Sequence, residues 1–277
     1  MPKAPHNEHE LELALYRFAG SNVDAVEWRD MMAGVILSQM LPPGSAVKGG
    51  SSMRLRLGPD RSRVTMDFDA ARSLALDDFI QILRERLETG WNGFTGVVRI
   101  LKQGTPKGVP FEYVMQPFDV KFSYRNHPWC TVRLEVGHNE LGDADEVELR
   151  KLPDSIKSVF IALGFPEPNP VPLMALPFQI AQKLHGLSQH GSGRVRDMID
   201  LQMIVANERI DYVRTAEICR RLFAYRRMQA WPPLIVAQND WDNLYNAQRF
   251  GLPVLESCYD AIDWTNRLIE TIDSAGK

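Results

Sequence analysis

A glycine-rich turn constrains this chain more than any other stretch. Residues 47–52 are Val-Lys-Gly-Gly-Ser-Ser, a pattern that predicts the end of a strand, a tight turn and the start of a short helix. Glycine lets the backbone approach a ligand closely, and the N–H groups at the start of a helix point towards bound anions. The sequence therefore predicts that Gly49, Gly50, Ser51 and Ser52 bind a phosphate group.

A strand with two carboxylates follows at residues 63–69. Strand side chains alternate between the two faces of a sheet, so Asp67 and Asp69 project the same way, with Cα atoms about 6.5 Å apart. Like charges at this distance repel each other unless a cation or water compensates, and Mg²⁺ takes one or two carboxylates together with substrate phosphates. A D-x-D pair alone is most often a solvated surface. Next to the phosphate-binding turn, it predicts a nucleotide site.

Composition limits the functional classes. The chain has 277 residues, 44% of them hydrophobic and 24% charged, which fits one large domain or two small ones. The net charge of −3 argues against a general coating of nucleic acid. Three scattered cysteines indicate free thiols in a reducing compartment. With no signal peptide and no apolar run of membrane length, we expect a cytoplasmic protein without a membrane partner.

Hydrophobic periodicity places further elements on both sides of the turn. Helices are predicted at 8–19, at 24–41 with Asp24 as N-cap, and at 77–89; strands are predicted at 95–102, 111–125 and 131–137. On the last of these strands Thr131, Arg133 and Glu135 share a face. Glu135 would join Asp67 and Asp69 if the strand neighboured 63–69 in the sheet, and would be an outward-facing surface residue otherwise.

The segment 166–177 contains five prolines and predicts a stiff, extended connection. We therefore place a domain boundary there, with a catalytic domain at 1–165 and a helical domain at 166–277. Helices are predicted at 177–189, 195–206, 212–227, 239–249 and 254–273. The predicted fold class is α+β: a mixed or antiparallel sheet flanked by helices, followed by a helical bundle.

Charged residues recur on the predicted helices of the second domain. Lys183 lies among apolar neighbours, and Asp197 and Asp200 share one face of the next helix. These aspartates either form structural ion pairs, such as Arg196–Asp200, or orient Lys183 at a site. The helix at 212–227 is rich in arginine and is either an RNA-binding surface or a solvated face.

Four segments together resemble a known family. Lys48-Gly49-Gly50-Ser51 followed by Thr65-Met66-Asp67-Phe68-Asp69 resembles the first motif of the polymerase-β nucleotidyltransferase superfamily. Gln182-Lys183-Leu184-His185-Gly186 and Arg196-Asp197-Met198-Ile199-Asp200 resemble the third and fourth motifs of its abortive-infection toxin branch, the AbiEii/AbiGii family, which includes MenT-like toxins. The motifs keep that family's order and span about residues 45–205.

The resemblance implies roles for individual residues. Asp67 and Asp69 would hold Mg²⁺, with Glu135 as the third carboxylate. Gly49, Gly50, Ser51 and Ser52 would bind the triphosphate. Lys183 would contact phosphates, and Asp197 or Asp200 would support that lysine, so that helices of the second domain complete the site.

The resemblance also implies an activity: transfer of an NMP from an NTP to an acceptor, with tRNA or another RNA expected. The protein would then be the toxin of a bacterial toxin–antitoxin system with a separate antitoxin. The alternatives are an NTP-binding interaction module with a lapsed active site, a D-x-D glycosyltransferase, and a nucleotidyltransferase with a small molecule or a protein as acceptor.

Overall fold

A computed structural model of the protein describes residues 2–104 and 114–277. It divides into two compact units: Met1–Pro59 with Val64–Leu173, and Asp60–Arg63 with Met174–Lys277. Residues 111–113 of the strand predicted at 111–125 lie outside the described residues.

The first unit contains five described helices, of which the first four lie close to their predicted positions and the last was not predicted. They are α1 (Glu8–Ala19), α2 (Asn22–Met40), α3 (Gly49–Leu57), α4 (Leu76–Thr89) and α5 (Asp154–Ala162). The prediction that Asp24 caps α2 is wrong: the cap is Ser21, whose hydroxyl accepts a hydrogen bond from the Asp24 backbone N–H at 3.1 Å. Serine and aspartate both suit a helix start, so local sequence did not separate them.

The strands of the first unit form a mixed sheet. They are β1 (Ser45–Lys48), β2 (Asp67–Arg72), β3 (Phe94–Ile100), β4 (Gln116–Tyr124), β5 (His127–His138), β6 (Val147–Arg150) and β7 (Val171–Met174). Their order across the described sheet is β3-β4-β5-β2-β1-β7-β6. The pairs β3–β4, β4–β5 and β1–β2 are antiparallel, whereas β2–β5 and β1–β7 are parallel. The predicted α+β class is confirmed.

Two predictions about strands need correction. The strand carrying the carboxylates begins at Asp67 rather than at residue 63, and Val64 and Met66 are 60% and 85% exposed. The proline-rich segment is more than a connection, because β7 lies within it and pairs with β1 through Val47 and Leu173. Alternation and proline content do not reveal which backbone segments find a hydrogen-bonding partner.

Helices cover one face of the sheet and leave the other polar. Phe68 and Ala70 of β2 and Leu134 and Val136 of β5 belong to the buried core, together with most of the C-terminal half of α2. The residues between them, Asp67, Asp69 and Glu135, project from the opposite face because side chains alternate along a strand. Burial of one face therefore determines where the carboxylates point.

The second unit is helical. It contains α6 (Leu176–Ser188), α7 (Arg196–Asn207), α8 (Tyr212–Arg226), α9 (Trp241–Gln248) and α10 (Cys258–Ala275), each near its predicted range. Trp241 and Tyr245 are buried in its core, whereas Tyr259 is 78% exposed. No helix in the described part of the chain is long and apolar enough to cross a membrane.

Candidate active site

The glycine-rich turn begins helix α3. Gly49 has a φ of +63°, in the left-handed region that favours glycine. A Cβ atom at this position would lie 2.2 Å from Oδ2 of Asp69, so the absence of a side chain also lets that carboxylate approach the backbone. The first turn of α3 carries no acidic residue, and the side chain of its N-cap residue, Lys48, does not cap it. Its positive end therefore suits a bound anion.

Ser51 links the turn to the carboxylate strand. Its hydroxyl donates a hydrogen bond of 2.7 Å to the backbone carbonyl of Asp67, and the serine is buried. The start of α3 and the start of β2 are thereby held together within the first unit. The Ser51 hydroxyl therefore has a structural role, because it helps to fix the position of the turn.

The three predicted carboxylates lie on adjacent strands. Strand β5 runs parallel to β2, with Asp69 opposite Glu135 and Asp67 opposite Arg133. The strand that carries Glu135 thus neighbours the strand that carries Asp67 and Asp69, and Glu135 shares a sheet face with both aspartates. Neighbouring strands are about 4.8 Å apart, which brings the carboxylates within mutual electrostatic range.

Electrostatics within this group are unfavourable for a full set of negative charges. Burial and the negative charge of Asp67 raise the pKa of Glu135 above its ordinary value, while Arg133 and Lys48 partly oppose this rise. Arg133 also forms an ion pair of 3.3 Å with Asp119. A bound cation would relieve the repulsion between the carboxylates.

The potential metal donors at this site are carboxylate oxygens, which suit magnesium. Within residues 2–104 and 114–277, no group of three or more His, Cys, Asp or Glu side chains is arranged so that it could hold a metal ion. Mg²⁺ does not need such a group, because it retains several waters and binds through one or two carboxylates plus substrate phosphates. Asp67 and Asp69, on one strand face beside Glu135 and close to a helix N-terminus, fit that mode of binding.

The second unit holds a separate cluster around Lys183. The Lys183 ammonium donates hydrogen bonds to Asp197 at 3.2 Å and to Asp200 at 2.6 Å, and all three side chains are almost completely buried. Asp197 and Asp200 both reach the lysine because residues three apart on a helix share a face. The hypothesis that these aspartates hold Lys183 agrees with this geometry; its role with nucleotide stays a prediction.

Two arginines complete the cluster. Arg63 contacts both carboxylate oxygens of Asp200, at 3.1 and 3.2 Å, and Arg194 donates to Asp197 at 2.7 Å. The predicted Arg196–Asp200 ion pair is wrong: Arg196 lies on the exposed side of α7, and Asp200 contacts Lys183 and Arg63 instead. Three cations face two carboxylates, so the cluster carries a net charge of +1.

Asp197 is held in its charged form. Burial alone would raise its pKa, but the charges of Arg194 and Lys183 and the hydrogen bonds that they donate outweigh burial, and the pKa lies below its ordinary value. A buried carboxylate with a lowered pKa requires its cationic partners in place. The cluster is thus ordered by its own charges.

Other basic residues near the turn have structural roles. Arg54 and Arg56 on α3 are buried and form ion pairs with Glu27 at 2.7 Å and Glu148 at 2.6 Å. These contacts favour structural roles for both arginines over triphosphate binding.

Sequence reasoning missed three contributors to these clusters. Lys48 enters the sequence argument only as part of the first motif, and neither Arg63 nor Arg194 is assigned to a site. The available signal for Lys48 and Arg63 was position: one precedes the glycines directly, and the other precedes Asp67 by four residues.

Comparison with known proteins identifies the family of this chain. The family model described as the nucleotidyl transferase AbiEii toxin of type IV toxin–antitoxin systems matches residues 31–266. The chain belongs to the AbiEii family. As a member, it is a nucleotidyltransferase toxin of a type IV toxin–antitoxin system, which implies an NTP substrate and an antitoxin partner.

A solved structure supports the fold of this AbiEii-family toxin. MenT4, a nucleotidyltransferase toxin from Mycobacterium tuberculosis H37Rv, matches with a TM-score of 0.52 and 16% sequence identity, covering 96% of this chain and 99% of the MenT4 chain. A search of curated proteins by sequence found no match. At this identity, the likeness to MenT4 concerns the fold.

Proposed function

We propose that this toxin transfers an NMP from an NTP to RNA, with tRNA as the expected acceptor, and that the reaction depends on Mg²⁺. The observation that carries the proposal is the group of Asp67, Asp69 and Glu135 on one sheet face, beside the start of α3. An RNA acceptor follows from the resemblance to MenT-like toxins described above.

The residues of the first unit have complementary roles in this proposal. The backbone N–H groups at Gly50 and Ser51 bind the triphosphate at the positive end of α3. Asp67 and Asp69, with Glu135, would hold magnesium, which when bound supplies positive charge to the entering and leaving oxygens. The rigid pairing of β2 with β5 keeps these carboxylates in place without reorganisation during the reaction.

The reaction is an in-line displacement. An acceptor hydroxyl oxygen forms a bond to the α-phosphorus, and the bond from that phosphorus to the bridging oxygen of the β-phosphate breaks. Pyrophosphate leaves with that oxygen, and the hydroxyl proton passes to water. Chain residues contribute positioning and charge rather than a covalent intermediate.

Lys183 and its partners in the second unit are proposed to act on the nucleotide phosphates. Lys183 and its two aspartates are nearly buried, and the half-exposed Arg194 and the largely buried Arg63 give the cluster an excess of positive charge, which supports an interaction with an anion. Lys183 as the phosphate contact, with Asp197 and Asp200 as residues that position it, remains the expectation from the family motifs. The assignment of a catalytic domain at 1–165 and a completing domain at 166–277 is part of the same proposal.

The arginine-rich helix α8 gives limited support for RNA binding. Arg214 and Arg221 pair with Glu217, and Arg220 contacts Asp273 and a carbonyl near the C-terminus. Tyr225, however, is 43% exposed near the end of the helix. Since most of these arginines have protein partners, the RNA proposal does not depend on α8.

The test is incubation with each labelled NTP, Mg²⁺ and total tRNA. We expect label on RNA with the native protein and none with Asp67→Asn, which removes one charge without changing shape. Asp119→Asn is the matched control, because Asp119 lies on the same sheet face but pairs with Arg133. We expect this control to transfer label within a few-fold of the native rate.

The outcomes separate the alternatives. Undiminished transfer by Asp67→Asn would refute the site assignment. Label on the protein itself or on an added small molecule would identify a different acceptor with the same chemistry. Binding of Mg·NTP without transfer to any acceptor would indicate a lapsed active site.

A further inference from the structure

Lys48 extends the row of charged residues across a third strand. It is the last residue of β1, and its Cα atom pairs with that of Asp69, which in turn pairs with that of Glu135. Paired residues on neighbouring strands project from the same face. Lys48, Asp69 and Glu135 therefore form one row on the polar face of the sheet.

Small residues in the next row on the same face of the sheet make room for the lysine side chain. Ala46, Ala71 and Gly137 are paired across the same three strands. A Cβ atom on Gly137 would lie 2.8 Å from the Lys48 Nζ atom and 3.7 Å from Cε. The side chain therefore extends across β2, and its ammonium group occupies the space that the absent side chain of Gly137 leaves.

The ammonium is not a dedicated counter-ion of Glu135. Lys48 does lower the pKa of that carboxyl, but Arg133 lowers it more, although Arg133 already forms an ion pair with Asp119. The lysine side chain is only partly buried. It contrasts with Lys183, which is 4% exposed and hydrogen-bonded to two aspartates.

Lys48 also adjoins the proposed phosphate-binding turn. It is the N-cap residue of α3, in extended conformation, and its own side chain does not cap the helix. The ammonium and the helix N-terminus thus place two positive features beside the carboxylates. A ligand that meets both is anionic.

We propose that Lys48 is a further catalytic residue of the first unit: its ammonium binds the triphosphate of the NTP and neutralises charge on the departing pyrophosphate. This inference rests on the proposed function, since it assumes that the NTP binds at the turn. Lysine suits the role because its compact charge reaches phosphate oxygens without a fixed orientation.

Equilibrium binding tests the proposal apart from turnover. The probes are the α,β-methylene analogues of the four NTPs and inorganic tripolyphosphate, each titrated calorimetrically with and without Mg²⁺. Lys48→Met keeps the length of the side chain and removes its charge. We expect it to weaken binding of the best analogue and of tripolyphosphate by about 10- to 100-fold, the usual range for one charge-assisted hydrogen bond.

Gly137→Ala perturbs the same contact from the opposite side. Its methyl group must displace the ammonium, whose flexible stem can move, so we expect weaker nucleotide binding with little loss of stability. In a Lys48→Met background the same substitution has no ammonium to displace and should add nothing. Lys121→Met, an exposed lysine on β4, is the charge-matched control and should bind like the native protein.

Several results would overturn the inference. Native-like affinity of Lys48→Met for the analogues would do so while leaving the transferase assignment intact. Tighter Mg²⁺ binding with unchanged nucleotide affinity would show that Lys48 is only a counter-ion of the carboxylates. If the native protein bound none of the probes, the proposed function and this inference would both fail.

If Lys48→Met does not fold, two other variants test the proposal. Lys48→Arg retains the charge and should keep most of the affinity, and Gly137→Ala should still lose part of it. Native affinity in Gly137→Ala, with the ammonium displaced, would contradict the proposal.

Discussion

Replacing Gly49 with alanine tests whether the turn positions a carboxylate. The new Cβ atom would lie 2.2 Å from Asp69 Oδ2, whereas ordinary van der Waals contact begins at 3.4 Å. The two atoms must separate by 3.4 − 2.2 = 1.2 Å to reach ordinary contact. A misplacement of about 1 Å in a catalytic group can lower a rate on the order of 100-fold.

The same substitution also strains the backbone. Gly49 has a φ of +63°, and a non-glycine residue in the left-handed region costs about 1–2 kcal/mol. Gly20→Ala is the matched control, since Gly20 has a φ of +82° and nothing lies within 4 Å of its missing Cβ atom. The control carries the backbone cost without the clash, so the difference between the two variants reports on Asp69.

The assays are urea unfolding of both variants and label transfer to total tRNA. We expect both to lose about 1–2 kcal/mol of unfolding free energy, while only Gly49→Ala loses transfer by on the order of 100-fold. The reasoning is refuted if Gly49→Ala retains transfer within threefold of Gly20→Ala. In that case the position of the Asp69 carboxylate would not limit the rate of transfer.

Three further predictions concern the contacts that hold each cluster. Asp197 has a lowered pKa, so its stabilising contribution is present above its ordinary value of 3.8 and is lost as the pH falls through the lower folded value. Asp197→Asn should therefore be less stable than the native protein at pH 7 in urea unfolding, by a margin that narrows below pH 3.8; a constant margin would contradict the assigned pKa. Ser51→Ala removes the 2.7 Å hydrogen bond to the Asp67 carbonyl and should lower unfolding free energy by about 1 kcal/mol and reduce transfer, whereas Ser51→Thr, which keeps the hydroxyl, should retain more of both. Arg63→Gln removes the two-point contact with the buried Asp200 carboxylate, which keeps Lys183 as a partner, and should cost about 1.5–3 kcal/mol in thermal or urea unfolding. Arg61→Gln on the same segment loses only a 3.3 Å contact with Asn207 and should cost less; equal losses would show that the Asp200 contact is not special.

Local sequence patterns predicted most elements because their causes are local. The helices at 8–19 and 77–89 and the five helices of the second unit follow from apolar periodicity and stop signals, which involve residues a few positions apart. The glycine-rich turn was predictable for the same reason. A glycine pair between a strand and a helical run restricts the backbone to few conformations.

Errors arose where two local signals were equivalent or where a partner was distant. Ser21 and Asp24 both suit an N-cap, and the backbone hydrogen bond selects Ser21. The alternation of apolar and polar residues at 63–69 begins before β2 does. Only residues from Asp67 onward pair with a neighbouring strand. The strand β7 was missed because its partner, β1, lies more than 100 residues earlier in the chain.

The sequence by itself determined which chemical groups are present: a phosphate-binding turn, the Asp67–Asp69 pair with its alternation, and Lys183 with two aspartates on one helix face. Tertiary structure decided which groups meet. The parallel register of β2 and β5 places Glu135 beside Asp69, the β1–β2 register and Gly137 place the Lys48 ammonium, and Arg63 reaches Asp200 across 137 residues of sequence. The physical reason is that strand order and buried ion pairs minimise the free energy of the whole fold, to which distant segments contribute as much as neighbours.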